Sequence, residues 1–269
     1  MKFKTPVTIN VLSPLALERP AEFLDAVQAF CDLLPDAAPE KWGWWEPLEH
    51  VFDAGNLQTL VPDGGVCETV YWHRKKRLKA EGSFCVRWRS KSSKVCDTHS
   101  NISFSTELNQ VEQAGLVDYL KNASVRSNAD FGFVETLTES YREFAIESGS
   151  APYGERFMIA THVLRHWLPD VFWGTVFGPA YVRLLGKERL LNSPAYLVEE
   201  LTPEMIYIQL TEKIMDVLED EVGTRSRREL FKAHFPCNAF FLSGQGYDRL
   251  QRGPIGDVFT VPKFELNVD

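Results

Sequence analysis

ETVYWHRKKRLKAEGSFCVRWRSKSSKVCDTHSNISFSTEL, residues 68–108, alternates apolar and polar side chains and decides the fold class. Phe84, Val86 and Trp88 fall on one side of the alternation, and Cys85, Arg87 and Arg89 on the other. Further on, Ile102 and Phe104 alternate with Ser103 and Ser105. Successive side chains of a strand point to opposite faces, so period two over this length means strands. The Glu81-Gly82 pair sits where a hairpin turn is needed. The stretch is expected to form a three-stranded antiparallel meander with one apolar face and one wet, cationic face.

Working outward, TPVTINVL near the start is β-branched and alternating, a first strand. Pro20 then opens a helix in which Phe23, Val27, Phe30 and Leu34 recur at helical spacing, and Pro35 stops it. Asn109 with Glu112 three residues later has the form of a capping box for a helix reaching Ser124. FGFVETLTE reads as another strand. A helix is expected to carry Phe157, Ala160, Thr161, Leu164, Trp167 and Leu168 on one face and to end before Pro169. AYLVEEL and MIYIQLT flank the turn TPE as two strands. One helix is expected from Thr211 to Gly223, and a second, from a Ser226/Glu229 capping box, to His234. This order gives an α+β fold, mainly antiparallel sheet with helices packed on it. At 269 residues the chain is taken as a single domain, residues 1–269, with SGSAPYG at 148–154 the one candidate internal linker.

The formal net charge of −8 conceals an asymmetry. Between Tyr71 and Lys94 nine basic residues face the single acid Glu81, while the remainder of the chain carries 20 basic and 36 acidic residues. So acidic a body repels a phosphate backbone, and direct nucleic-acid binding is disfavoured. The alternative is a nucleic-acid module on the basic hairpin 71–94, with Arg74, Lys75, Lys76, Arg77, Arg87 and Arg89 on phosphates and Trp72 and Trp88 as stacking platforms. Solubilising an open sheet face explains most of those cations equally well.

The N-terminal apolar run is broken by Thr8, Asn10, Ser13 and Pro14, against a signal peptide. No stretch approaches the roughly 18 apolar residues that span a bilayer. A cytoplasmic protein with no membrane partner is expected. Cys31, Cys67, Cys85, Cys96 and Cys237 are odd in number and form no CxxC pair, as reduced thiols would.

Catalytic signatures are missing: the sequence has no GxSxG, no Walker loop and no GxGxxG. His162 and His166, four apart, have the spacing of a helical metal pair, yet Val163 stands where a zincin helix has its glutamate, and no third ligand is close. No enzyme, no metal and no cofactor is expected. On the binding side, Glu212, Asp216 and Asp220 recur every fourth residue with Glu219 beside them, an acidic stripe if the segment is helical. Like charges so spaced cost a helix about 0.2–0.5 kcal/mol a pair, which a cationic partner would reverse. Glu199 and Glu200 add to this acidic surface. A solvated helix face is the competing explanation.

WGWWEPL, residues 42–48, holds three tryptophans too close to share one helical face, and Gly43 with Pro47 bends the chain. A structural corner capping the sheet is the first reading. Partner contact through Trp44 and Trp45 is the second, since tryptophan is enriched at interface hot spots. A small-ligand box is the third.

In their order, WGWWEPL, VYWHRKKRLKAEG, FWGTVFGPAYVRLLGKERLLNSPAY and IYIQLTEKIMD resemble the Immunity protein 52 family over roughly residues 5 to 245. The resemblance implies a non-catalytic cytoplasmic antidote that binds a cognate toxin of a bacterial polymorphic or type VI secretion system. It further implies that the toxin is a nuclease effector domain, a restriction-endonuclease-like DNase. The acids Glu199, Glu200, Glu212, Asp216, Glu219 and Asp220, with Trp44 and Trp45, are then the candidate toxin-binding residues.

Overall fold

Val7, Ile9 and Val11 alternate with Thr8, Asn10 and Leu12, and every residue of the strand they form is buried. In the computed structural model, which describes residues 2–15, 20–61, 67–88, 98–148, 150–153, 156–235 and 239–242, this strand lies inside a wide sheet. The chain runs through β1 (Pro6–Ser13), α1 (Pro20–Leu33), β2 (Lys41–Gly43), β3 (His50–Val51), β4 (Cys67–Arg74), β5 (Ala80–Trp88) and β6 (Ser100–Glu107). It continues through α2 (Gln113–Arg126), β7 (Phe131–Thr136), α3 (Glu139–Glu147), β8 (Ser150–Tyr153), β9 (Arg156–Ile159) and β10 (Gly174–Phe177). Last come α4 (Pro179–Leu185), α5 (Lys187–Leu191), β11 (Leu197–Thr202), β12 (Met205–Gln209), α6 (Asp216–Glu219) and α7 (Glu221–Ala233). Ten strands pair in the order β11-β12-β10-β7-β1-β6-β5-β4-β2-β3, all antiparallel, so the fold is α+β with a mainly antiparallel sheet. β7 pairs with β10 across the 148–154 stretch, and strands from both sides of it share the sheet.

One face of the sheet packs under α1 and α2. Phe23, Val27, Phe30 and Leu34 point into it at the helical spacing seen in the sequence. Phe30 is the hub: its ring lies 5.0 to 5.9 Å from those of Trp72, Phe84, Phe104 and Tyr119. Burying one such side chain contributes about 1.5–3 kcal/mol. The meander β4-β5-β6 supplies the other half of this layer through Val70, Trp72, Phe84, Ile102 and Phe104.

The opposite face is divided. Across β7, β10 and β12 it is apolar, with Phe131, Phe133, Phe177, Ile206 and Ile208 meeting Phe157, Phe172 and Phe231. Across β1, β6 and β5 it is polar. The expected wet cationic face is instead a buried hydroxyl-lined one among the described residues: Thr8 bonds Ser105 at 2.8 Å and Ser83 bonds Ser103 at 3.1 Å. β9 crosses β1 here, and the Asn10 amide donates to the Phe157 carbonyl at 3.0 Å. Hydroxyl pairs satisfy one another when water is excluded. Arg89 and the side chains of Arg87 and Trp88 lie outside the described residues.

Four sequence expectations are corrected. Glu81-Gly82 is not a turn: Gly82 is inside β5, opposite Trp72, and the chain reverses over residues 75–79. A Cβ at position 82 would stand 2.5 Å from both the Ser103 carbonyl and the Trp72 indole, so the glycine makes room for the ring. The helix expected from Asn109 begins at Gln113 after a 3-10 turn, with Glu112 at the cap. Residues 156–159 are strand, because Phe157 and Met158 pair with Pro152 and Ala151, and Thr161–Arg165 is a 3-10 turn. The helices expected over 211–223 and 226–234 are α6 and α7, and Ser226 lies inside α7, where it bonds the Val222 carbonyl.

Gly82→Ala is expected to lower the unfolding free energy by about 1–3 kcal/mol in urea titrations, the range for overpacking a filled site. Gly115→Ala in α2, where an added Cβ meets nothing within 4 Å, should be stabilising by up to about 1 kcal/mol.

Candidate functional site

The sequence-derived residues fall in three places. Trp44 and Trp45 follow β2 beside the β3 edge of the sheet. Trp42 is buried in β2, Trp44 packs edge-on against it at 5.6 Å and is half-buried, and Trp45 is 71% exposed. Glu199 and Glu200 sit on β11 at the opposite edge, each with its own cation: Lys121 of α2 at 2.6 Å and Lys187 of α5 at 2.9 Å. Glu212, Asp216, Glu219 and Asp220 cluster around α6, but not as one helical stripe. Asp220 has non-helical backbone, accepts the Gly223 amide at 3.0 Å and caps α7, ending α6 at Glu219. Asp216 accepts the Lys213 amide at 3.2 Å, and Glu212 stays exposed in the turn before it.

The corner where α6 meets α7 leads to a cavity of about 530 Å³ between α3 and α7. Glu221, the first residue of α7, accepts hydrogen bonds from the hydroxyls of Thr138 and Ser140 and so ties this corner to the start of α3. Those two hydroxyls hold its carboxyl below the usual carboxylate range.

A buried ionic network forms the cavity floor. Arg228 of α7 donates to Glu135 at 2.6 Å and to the Val171 carbonyl at 3.1 Å, and lies 3.5 Å from Asp170. Glu135 also accepts the amides of Trp173 and Thr136, each at 2.9 Å. Asp170 takes the Tyr141 hydroxyl at 2.8 Å, and Lys232 lies 3.3 Å away. Burial pushes the Glu135 carboxyl up, against the pull of Arg228 and its other donors. Desolvation opposes the Arg228 charge, and Glu135 leads the groups that outweigh it and raise its proton affinity. Two carboxylates and two cations balance inside, so charges this deep need no outside partner.

Above this floor Glu143 and Glu147 of α3 line the cavity, with Arg225 among the lining of the α7 side. With Glu139, which pairs with Arg142 outside the cavity, they recur every fourth residue along α3, so the acidic stripe expected at 212–220 stands on a different helix. The sequence contained the signal: Thr138 before an i, i+4, i+8 series of glutamates, and its hydroxyl does accept the Tyr141 amide at 3.2 Å. Reading FGFVETLTE as strand through Glu139 concealed it. Glu229 faces this stripe from α7.

Other chemistries find little support. His162 lies inside the 3-10 turn Thr161–Arg165 and His166 at its end, so they do not share an α-helical face, and among the described residues no group of three His, Cys, Asp or Glu side chains could hold a metal. Thr98, His99 and Asp130 form a hydroxyl-imidazole-carboxylate chain at 2.7 and 3.3 Å, but all three are buried. The Thr98 hydroxyl donates to the Thr161 carbonyl at 2.7 Å, which takes the proton a nucleophile would have to give the imidazole. Cys31 is a free thiol pushed up to about 11 by burial and Asp32, far from a reactive thiolate. In the basic hairpin, Trp72 is buried at 1% exposure and has no face for a base to stack on. The turn itself is held by Glu40, which accepts the Lys75 and Lys76 amides at 2.9 and 3.3 Å and pairs with the Lys76 side chain at 3.5 Å. Among the described residues no helix is long and apolar enough to cross a membrane.

No protein-family model matches the chain, and neither does any curated protein. Among solved structures, a T6SS (type VI secretion system) protein of Pseudomonas aeruginosa matches with a TM-score of 0.51 at 13% sequence identity, covering 90% of this chain and 85% of that one. At this identity the likeness shows a shared fold.

Arg228→Met strands the Glu135 and Asp170 carboxylates in the interior and should cost about 3–5 kcal/mol in denaturant unfolding. The Glu221 carboxyl, held below its unfolded value, contributes stability that is present above that value and lost as pH falls through the folded one. Glu221→Gln should therefore flatten the acid limb of the stability-pH curve while leaving the neutral and alkaline limbs parallel to wild type.

Proposed function

We propose that this chain is a non-catalytic immunity protein that binds and neutralises a cognate secreted bacterial toxin, in keeping with its resemblance to the Immunity protein 52 family. The observation that carries the reading is the separation of charge around α3, α6 and α7. The cations at depth are consumed by Glu135 and Asp170, and the surface left to a partner carries the exposed acids Glu143, Glu219 and Asp220, with Glu139 paired to Arg142 at 3.3 Å. An enzyme that cuts DNA must present a cationic surface to phosphates, so an acidic protein can occupy or cover that surface. A DNase of the restriction-endonuclease-like class is the target that fits, and a cytoplasmic address is where protecting DNA requires the inhibitor. The fold shared with a T6SS protein supports the same setting.

The experiment uses the whole protein as bait in lysate of its own source, washed at low and high salt. The expected result is retention of one basic protein whose DNase activity is silenced in the complex and restored on dissociation. Retention of nucleic acid alone would instead favour the basic hairpin. Retained proteins without nuclease activity, or no retention at all, would remove the proposal.

A further inference from the structure

We infer that the groove between α3 and α7 is the seat for an arginine- or lysine-bearing segment of the protein partner. The inference deepens the immunity reading and rests on it for the partner's identity, though its chemistry can be probed alone. Three features converge. The first is shape: about 530 Å³ is room for a few long side chains rather than for a globular surface.

The second is the lining. Tyr141, Phe144 and Phe241 form a contiguous aromatic strip, with ring centres 5.5 and 5.7 Å apart. Aromatic faces attract guanidinium and ammonium groups, and the aliphatic stems of Arg and Lys pack well on them. The protein already makes this match beneath the groove, where the Arg228 guanidinium lies 4.6 Å from the centre of the Tyr141 ring and Lys232 lies 5.5 Å from that of Phe144.

The third is charge. Carboxylates stand on both walls, Glu143 and Glu147 on α3 and Glu221 and Glu229 on α7. Of the cations in the lining, Arg228 and Lys232 are neutralised by Glu135, Asp170 and Glu229, and Arg225 sits 3.9 Å from Glu221. Glu143 is exposed and has no ion-pair partner among the described residues. The same walls repel phosphate and carboxylate, so an anionic ligand is disfavoured. An entering guanidinium would find unspent negative charge at the mouth and aromatic surface beneath it.

The test uses the full-length protein and two readouts. A fluorescent hexa-arginine peptide is titrated by anisotropy at low salt, and inhibition of the captured nuclease is measured in parallel. Glu143→Lys is expected to weaken peptide binding and nuclease inhibition by about tenfold each, and Glu143→Gln by about threefold, at an unchanged unfolding midpoint. Asp25→Lys, an exposed acid of α1 on the other face of the sheet, is the charge control and should change each by less than about twofold. Peptide binding that is absent, or equal in wild type and Glu143→Lys, overturns the inference. If Glu143→Lys silences the nuclease as well as wild type does, the groove inference falls while the immunity reading stands. If wild type silences no nuclease yet binds the peptide through Glu143, the immunity reading falls and the groove keeps its assigned chemistry.

Discussion

Glu135 projects from near the end of β7 into the layer opposite α1 and α2, a position where a lone carboxylate would be intolerable. Two backbone amides and Arg228 make it tolerable, and the arrangement fixes much else. The guanidinium must arrive from α7 at one depth and angle, since it also bonds the Val171 carbonyl and approaches Asp170. Thus α7 is registered against the sheet by directional contacts, while the phenylalanines beneath it supply non-directional burial. Asp170 extends the constraint to α3 through Tyr141, and the spacing of the two helices, hence the groove, follows from the same four buried charges.

Much of the sheet was legible because period two survives wherever one face is apolar. β1 announces itself in this way, as does the meander, while β7, β11 and β12 show as short apolar-rich runs. What misled was chemistry that only a partner strand or helix can reveal. Gly82 looks like a turn residue until the Trp72 indole is seen lying across it. Phe157 and Leu164 fit a helix equally well until β8 pairs with 156–159. The candidate site was less legible still. Acidic spacing at 212–220 is genuine in sequence, but Asp220 prefers capping to continuing a helix, and the series that does occupy one helix face runs from Glu139 to Glu147. The Arg228 network, joining residues 93 positions apart, leaves no local trace.

The charges are also sorted in space. The basic turn at 75–79 belongs to the β4–β5 side of the sheet and is held by Glu40, while the acidic corner of α6 and α7 lies with β12 and β7 on the other side. A net charge of −8 so distributed gives the molecule a polarity as well as a sign. A cationic partner would be steered towards one side before any contact forms, at a rate that declines with ionic strength.

The two ends of the ten-stranded sheet raise a different matter, that of company. An open sheet edge is a template for another strand, including one from a copy of the same chain. Among the described residues one border is β3, only two residues long. The other, β11, carries adjacent glutamates, bound on opposite faces of the sheet by Lys121 and Lys187. A strand docking against it would lie beside two clamped ion pairs and, from a second copy, meet the same glutamates in apposition. Among the described residues, both borders therefore work against edge-to-edge pairing of one copy of this chain with another.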